Sequence, residues 1–352
     1  KGELTYSFNK KEYLPREFPK RTLSLMSTYD VASPSDKFMR TDKDNVFTAF
    51  KWTKVDAMMF YDKQELTLER EEDWRFKTTV AFKTEEDEAV GSLRFTPLNA
   101  NSTLTTSQPH NLTTSHPGSF RTTELRAELR FAPGETYINT KQRRLKVNLD
   151  APVFTLGHTM GFKGLLGGDY KYNYTEASIY KRFWMNSWGK VDILVRGGIQ
   201  WDKVPFPLLC MPATNLSYII QDQTFQLINN MEFLNDRFVS ADVSWDFNGK
   251  LFNRIPLIKK LKWREYIAVK CLWGDLSDKN NPFLSQNAGD AILMHFPEGS
   301  HLMNRREPYV EMAFGIHNIF KIMHVEYVRR LNYLDLPTAE KDGIRFMFRM
   351  TF

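Results

Sequence analysis

The stretch IRFMFRMTF, residues 344–352, ends the chain, and its side chains alternate in character. Every second residue is large and apolar, namely Ile344, Phe346, Phe348, Met350 and Phe352. The positions between them include Arg345 and Arg349. Successive side chains of a β-strand point to opposite faces of the sheet. The stretch therefore predicts a strand with one apolar face and one cationic face.

The same alternation recurs along most of the chain. It is clearest in the segments 74–83, 124–131, 191–202, 239–247, 266–273 and 310–317. In each, apolar residues occupy every second position and polar or charged residues stand between them. This period of two predicts antiparallel strands of about 9–12 residues, a length that crosses a bilayer at a tilt.

The composition narrows the class of protein. Hydrophobic residues make up 42% of the 352 residues, aromatic residues 14% and charged residues 26%. No stretch approaches the roughly 18 consecutive apolar residues of a membrane-spanning helix, which excludes a helical membrane protein. The net charge of +6 is spread among almost as many acids as bases. We therefore expect no nucleic-acid partner, since nucleic-acid binding needs clustered cations.

The polar faces distinguish two all-β architectures. The row Glu124, Arg126, Glu128 and Arg130 carries both charge signs, as in a confined, partly wet barrel lumen where neighbouring strands can pair their charges. A soluble β-sandwich is the alternative, but its strands are about 5–6 residues long. The sequence thus favours an all-β transmembrane antiparallel β-barrel of about 16 strands over residues 21–352. Residues 1–20 would be a periplasmic lead-in or the first strand. The lumen-facing polar candidates are Arg126, Arg196, Asp242, Lys270, Glu311, Arg345 and Arg349.

The last strand also predicts an orientation. In bacterial barrels the C-terminus lies on the periplasmic side, and closure pairs the last strand with the first so that no edge remains. The segments 276–307 and 335–342 then become extracellular loops, while 317–320 becomes a periplasmic turn. The connection 248–262 becomes periplasmic and amphipathic, either a docking surface for a partner or a cap on the rim. An ambiguous strand near 217–228 leaves the sidedness upstream open.

Motifs for chemistry are missing from the sequence. It has no HExxH, no Cys/His group with zinc spacing, no GxSxG and no phosphate-binding glycine loop. We therefore expect no enzyme, no cofactor and no metal. His317 and His324 flank a turn, so they can approach each other across adjacent strands. Cys210 and Cys271 predict no disulfide, and Cys271 reads as a small buried hydrophobe.

Four specific strings carry a resemblance to a known family. They are residues 204–240, 247–265, 273–282 (WGDLSDKNNP) and 308–335. They resemble a large outer-membrane group of unknown function in Bacteroidota, whose members look like a carboxypeptidase-regulatory-like sandwich followed by a barrel. The resemblance implies that this chain is the C-terminal barrel part. The last five strands also look like the sixteen-stranded assembly barrels with POTRA repeats, and Phe352 resembles the C-terminal assembly signal.

These observations together predict a function class. We expect a non-catalytic barrel of the bacterial outer membrane that serves as a subunit or scaffold of a larger envelope complex. Its partners would be the lipid bilayer and other envelope proteins. The alternatives are a transport or secretion pore, an assembly-type barrel related to POTRA-bearing proteins, and a barrel-embedded enzyme.

Overall fold

The computed structural model of the chain describes residues 1–8, 21–38, 50–53, 55–72, 75–99, 118–139 and 144–349. These ranges contain fifteen strands, one short α-helix and several 3-10 turns. The strands are β1 (Gly2–Ser7), β2 (Arg21–Ala32), β3 (Ala57–Glu71), β4 (Phe76–Gly91), β5 (Ser119–Phe131), β6 (Tyr137–Asn139), β7 (Arg144–Lys146), β8 (Val153–Gly161), β9 (Tyr172–Trp184), β10 (Lys190–Gln200), β11 (Arg237–Asp246), β12 (Arg264–Asp275), β13 (Tyr309–Ile319), β14 (Met323–Arg330) and β15 (Asp342–Phe348). The helix α1 spans Pro256–Leu261.

Thirteen of these strands form one antiparallel sheet whose spatial order follows the chain from β1 to β15, with β6 and β7 forming a separate hairpin. The all-β, antiparallel part of the prediction is confirmed. None of the helices in the described ranges has the length and apolarity of a membrane-spanning helix.

One face of the sheet, here called the outer face, is apolar across many strands. A single row of paired residues runs from β10 to β15 and consists of Val191, Trp245, Ile267, Phe314, Tyr327 and Ile344. A second row runs from β2 to β8 and consists of Leu25, Leu66, Phe82, Leu125 and Met160. Phe314 and Ile344 are each about half exposed, at 47% and 51%. A sheet face this apolar and this exposed is unusual for a protein surface in water.

The opposite face, here called the inner face, carries charges of alternating sign. Asp242, Lys270, Glu311 and Arg330 lie side by side on β11 to β14. The charged residues of β5 are also paired, because the Glu124 carboxylate lies 2.8 Å from the ammonium of Lys83 on β4. Cross-strand pairing of this kind explains how so many charges share one side of a sheet.

The connections between strands divide between two ends of the sheet. At the end where β15 stops, called the C-terminal rim, lie the described parts of 72–75 and 132–152 and the connections 185–189, 247–263 and 320–322. At the other end, called the loop rim, lie the described parts of 33–56 and 92–118 and the connections 162–171, 201–236, 276–308 and 331–341. The predicted turn 317–320 is displaced, because β13 continues to Ile319 and the turn is 320–322. The ambiguous strand near 217–228 does not form, so the side on which each upstream connection lies follows from the strand order.

The sheet curls around the connection 201–236, here called the inner segment. One end of the sheet reaches it through the β2–β3 connection, since the indole N–H of Trp52 donates to the carbonyl of Asn215 at 2.8 Å. The other end reaches it through β15, since the backbone N–H of Phe346 donates to the carbonyl of Tyr218 at 2.8 Å. Parts of the sheet as far apart as the β2–β3 connection and β15 can contact one segment only if the sheet is strongly curved.

The predicted closure of the barrel differs from the observed pairing. Within the described ranges β15 pairs with β14 on one side and meets residues 218–220 of the inner segment on the other, while β1 pairs with β2. A closed ladder of about 16 strands with β15 against β1 is therefore not what these residues form. The edge of β15 satisfies its backbone groups on the inner segment instead.

Several predicted features fall outside the described residues. Phe352 and its role as an assembly signal lie there, as do residues 101–117 and most of the lead-in at 9–20. The part of the lead-in that is described, Gly2–Ser7, is strand β1.

Candidate functional site: a lumen filled by the inner segment

The inner segment is buried along most of its length although it has little regular secondary structure. Pro205, Pro207 and Pro212 lack backbone donors and so interrupt any strand in its first third. Its chain then folds back on itself: the amides of Cys210 and Asn235 donate to each other's carbonyls at 2.7 and 3.1 Å. Apolar side chains hold this fold, and Val204, Phe206, Leu209, Met211, Met231 and Leu234 form one cluster with residues of β3, β5, β9 and the loop rim.

Hydroxyl and amide groups attach the inner segment to the β2–β3 connection. The Ser35 hydroxyl lies 2.9 Å from the Thr214 hydroxyl and donates to the side-chain oxygen of Asn230 at 2.9 Å. Together with the Trp52 indole these contacts join residues that are more than 150 positions apart in the chain. They fix one side of the inner segment to the first strands of the sheet.

Glu311 on β13 binds the backbone of the inner segment from the other side. Its carboxylate accepts from the amide N–H of Gln226 at 2.9 Å, from that of Leu227 at 3.2 Å and from the Tyr309 hydroxyl at 2.9 Å. Glu311 is 1% exposed, so an uncompensated carboxylate here would be very costly. Charge-assisted hydrogen bonds of this kind are about twice as strong as neutral ones.

Arg330 on β14 forms a completely buried ion pair with Glu232 of the inner segment. The two charged groups are 2.7 Å apart and neither side chain has exposed surface. The guanidinium also lies over the rings of Tyr309 and Phe233, at 4.9 and 5.8 Å from their centroids. Arginine is suited to such a site because its planar cation can pair and stack at once.

Arg345 on β15 contacts both ends of the curled sheet. Its guanidinium donates to the carbonyl of Gln226 at 2.7 Å and lies over the Trp52 ring at 4.6 Å from the centroid. Trp52 belongs to the β2–β3 connection, so one side chain of the last strand reaches the connection that follows the second strand. This stack links the last strand of the sheet directly to the β2–β3 connection.

The remaining lumen-facing candidates lie as follows. Arg196 donates to the side chain of Gln223, the Lys270 ammonium donates to the carbonyl of Thr224 at 2.5 Å, and Arg349 pairs with Asp222 at 2.8 Å. Arg126 and Asp242 instead pair with strand neighbours, Arg126 with Glu128 at 2.8 Å and Asp242 with Lys270 at 3.7 Å. Of the seven candidates, Arg196, Lys270, Glu311, Arg345 and Arg349 thus contact the inner segment.

Two polar cavities remain between the inner face and the inner segment. The first, of about 560 Å³, is lined by the charged side chains of β4 and β5 and bounded by residues 207–210. The second, of about 380 Å³, is lined by β9 to β15 and bounded by residues 220–223. In both, the inner segment forms one wall and the charged sheet the other.

His317 and His324 lie in the second cavity, and their predicted approach is confirmed. Their ring centroids are 4.3 Å apart, and the Nε2 atom of His317 is 3.0 Å from a carboxylate oxygen of Glu326. In the described part of the chain, no group of His, Cys, Asp and Glu is arranged to hold a metal ion. The cluster is a hydrogen-bonded part of the polar lining.

The two cysteines are free in the structure. Burial raises the pKa of the Cys210 thiol above its ordinary value and keeps the thiol neutral within the inner segment. Cys271 is half-buried on the outer face rather than buried as predicted, because β12 exposes that face. It pairs in register with Ala241 and Val310.

Sequence reasoning missed five residues that hold the inner segment: Ser35, Trp52, Glu232, Tyr309 and Arg330. The length of the inner segment is a signal that could have identified it. The segment connects two neighbouring strands through 36 residues, and connections this long are usually functional.

Comparison with known proteins places the chain in a family. Residues 43–282 match the C-terminal domain of a family of unknown function, DUF5686. The chain belongs to this family. The matched range includes β3 to β12 and the whole inner segment, while Glu311, Arg330 and Arg345 lie beyond it.

A solved structure has the same fold. The structure is similar to the crystal structure of BamA from Haemophilus ducreyi lacking POTRA domains 1-3, with a TM-score of 0.54 and 12% sequence identity. The similarity covers 98% of the DUF5686 chain and 60% of the BamA chain. No curated protein matches the chain.

Proposed function

We propose that this DUF5686 domain is an outer-membrane β-barrel kept closed by its inner segment and that it acts as a non-catalytic subunit or scaffold of an envelope complex. The observation that carries the proposal is the attachment of the inner segment to both ends of the sheet, through Trp52 on one side and Glu311, Arg330 and Arg345 on the other. A pore for passive transport would need an open path along the same space.

The outer face supports a membrane location. Its apolar rows would lie against lipid, and aromatic residues end the wall at the C-terminal rim, where Trp188, Trp245 and Phe247 pack together with Trp245 and Phe247 stacked at 4.2 Å. Apolar bands bordered by aromatic girdles are the surface of outer-membrane barrels. The BamA-like fold agrees with this location.

The inner segment is well suited to a permanent closure. A movable gate would be held by few contacts, whereas this segment is held by an apolar cluster, a buried ion pair and several hydrogen bonds to charged groups. Breaking a buried ion pair by losing one partner costs about 3–5 kcal/mol. A barrel that conducts nothing and presents large loops at one rim is best explained as a binding partner for other proteins. No catalytic role is included, since the sequence lacks the corresponding motifs.

Electrical conductance tests the closure. The inner segment can be excised cleanly because its ends are neighbours: the amide of Gln200 donates to the carbonyl of Asp236 at 2.7 Å. We expect purified wild-type protein to give no stable conductance steps in planar bilayers. A variant in which a short Gly-Ser linker replaces residues 202–235 should conduct.

Heat-modifiable gel mobility provides the control, because it reports whether each protein is a folded barrel. If excision prevents folding, Glu311→Ala offers a milder release, since it removes the acceptor of two backbone donors. A stable open channel in the wild-type protein would overturn the proposal.

The partner role is tested by co-purification from native membranes, where a barrel recovered alone at native expression would argue against a scaffold.

A second candidate is an assembly-type barrel that engages a strand of another chain. It is favoured by strand β1, which pairs with β2 along one edge and has no second partner strand in the described ranges. Leu4 and Tyr6 of β1 are highly exposed. Photo-crosslinking from β1 in cells distinguishes the candidates, because capture of unfolded barrel proteins would favour assembly over a scaffold.

A further inference from the structure

The connection 247–263 at the C-terminal rim is basic and apolar at once. It contains Lys250, Arg254, Lys259, Lys260 and Lys262 and has no acidic residue. Its apolar residues include Leu251, Ile255, Leu257 and Leu261, all of them exposed, with Leu257 76% exposed. A cap on the barrel rim, one of the two interpretations drawn from the sequence, would bury its apolar side chains, and so would a packed core. Neither explains large apolar groups that point into solvent.

The connection is nevertheless a folded element. Pro256 begins α1 at the position where proline is favoured, and Lys262 ends it in the left-handed region at φ 56°. The amide of Lys259 donates to the carbonyl of Ile255 at 2.9 Å, and the Asn318 side chain donates to the carbonyl of Lys262 at 2.7 Å. Phe252 and Trp263 are half-buried, and the backbone N–H of Phe252 donates to the Glu265 carboxylate on β12. Its exposed side chains are therefore presented by a fixed backbone.

The connection is continuous with the aromatic edge of the outer face. The Lys250 ammonium lies 5.4 Å from the centroid of the Trp188 ring and donates to the Ser187 hydroxyl at 2.9 Å. The turn 320–322 at the same rim repeats the pattern, with Lys321 between Phe320, which is 81% exposed, and Ile322. Aromatic, aliphatic and cationic side chains together are characteristic of the headgroup layer of a membrane.

We propose that the connection 247–263 is a binding site for anionic phospholipid headgroups at the C-terminal rim, with its leucine and isoleucine side chains inserted among the acyl chains. Among the described residues, no carboxylate forms an ion pair with Arg254, Lys259, Lys260 or Lys262, so these cations are available to phosphate. An anionic lipid surface complements both their charge and the adjacent apolar groups. The inference rests on the proposed function, because it needs the outer face to lie in a bilayer.

Native mass spectrometry of the purified protein in detergent micelles tests the proposal, with phosphatidylglycerol and phosphatidylethanolamine of the same acyl chains as probes. We expect the wild-type protein to retain phosphatidylglycerol preferentially. The variant R254Q/K259Q/K260Q/K262Q should retain at least about tenfold less phosphatidylglycerol, since each cation near an anionic surface contributes to binding. Leu257→Ser should lower the retention of both lipids, because it removes inserted apolar surface.

A matched control removes the same charge from the other end of the molecule. Lys163, Lys171, Arg306 and Lys341 are exposed cations on loop-rim connections, and K163Q/K171Q/R306Q/K341Q should retain phosphatidylglycerol like the wild type. The proposal would be overturned if both variants lost phosphatidylglycerol equally, or if R254Q/K259Q/K260Q/K262Q retained it like the wild type. Either result would favour a protein partner for this surface. If the fuller variant fails to fold, K259Q/K260Q serves in its place. A wild-type protein that is neither heat-modifiable nor membrane-inserted would instead refute the proposed function.

Discussion

Arg330 and Glu232 are opposite charges at positions with no exposed surface, and this single pair shows how the inner segment is held. Burying two charges is expensive, and their attraction offsets the loss of hydration only when the geometry is good. Here the two charged groups are 2.7 Å apart but are not aligned for a hydrogen bond, and the rings of Tyr309 and Phe233 add contact with the guanidinium. Each charge is tolerable because the other is present.

The pair predicts strongly non-additive substitutions. Arg330→Met should destabilise the folded barrel by about 3–5 kcal/mol, because it leaves the Glu232 carboxylate buried and unpaired. The double variant R330M/E232L should recover much of that loss. Urea unfolding followed by tryptophan fluorescence and by gel mobility measures both.

Arg329→Met is the matched control for this experiment. Arg329 is the next residue in β14 but is exposed, and it lies 3.7 Å from Asp342, which is also exposed. Surface pairs contribute little, so its replacement should leave the unfolding midpoint nearly unchanged. If R330M and R330M/E232L were equally unstable, the ion pair would not be the reason for the loss.

At the scale of the element, alternation along each strand determines which side chains lie on the outer face and which lie on the inner face. Val243 and Phe314 lie on the outer face, and Asp242 and Glu311 lie on the inner face one or three positions away. Because the side-chain period is two, this assignment could be made from the sequence alone. The alternating segments accordingly correspond to β4, β5, β10, β11, β12, β13 and β15, whereas β6 to β9 were not identified from the sequence.

The inner segment could not be derived in the same way. Alternation identifies an element by its immediate neighbours in the chain, whereas residues 201–236 are stabilised by partners as distant as Ser35 and Arg345. The charged face was expected to pair with itself, yet Lys270, Glu311 and Arg345 bind backbone groups of the inner segment. A polar residue on a strand signals the lumen but does not specify what fills it.

Placing the same cation on either face of the sheet tests which face each strand residue occupies. Val243→Arg or Phe314→Arg should cost about 2–4 kcal/mol, because each puts an arginine against lipid. Ser244→Arg places it in the cavity lined by Asp192, Asp242 and Asp246 and should cost far less. Asp242→Asn should also be mild. Outer-membrane yield and heat-modifiable mobility are the measurements, and equal damage on both faces would show that the assignment is wrong.

At the scale of the whole molecule, the question is how the curled sheet ends. An open edge in lipid leaves backbone donors and acceptors without partners, which is costly enough that spanning sheets normally close on themselves. Here β15 receives its second partner from inside, since Phe346 donates to Tyr218 and accepts from Ile220. The inner segment thus has two roles, filling the lumen and covering the edge of the last strand.

Disulfide trapping distinguishes this arrangement from closure by the first strand. Ile219 and Phe346 are bridge partners, and strand neighbours are close enough for a disulfide, at about 4.7–4.9 Å between chains. In a background with Cys210→Ala and Cys271→Ala, the variant I219C/F346C should form an intramolecular disulfide in native membranes, detected as a linked peptide by mass spectrometry. F346C combined with a cysteine at any position from Glu3 to Ser7 of β1 should remain reduced. The reverse result, in which β1 crosslinks to β15 and Ile219 does not, would mean that the last strand closes against the first and that the inner segment leaves the edge.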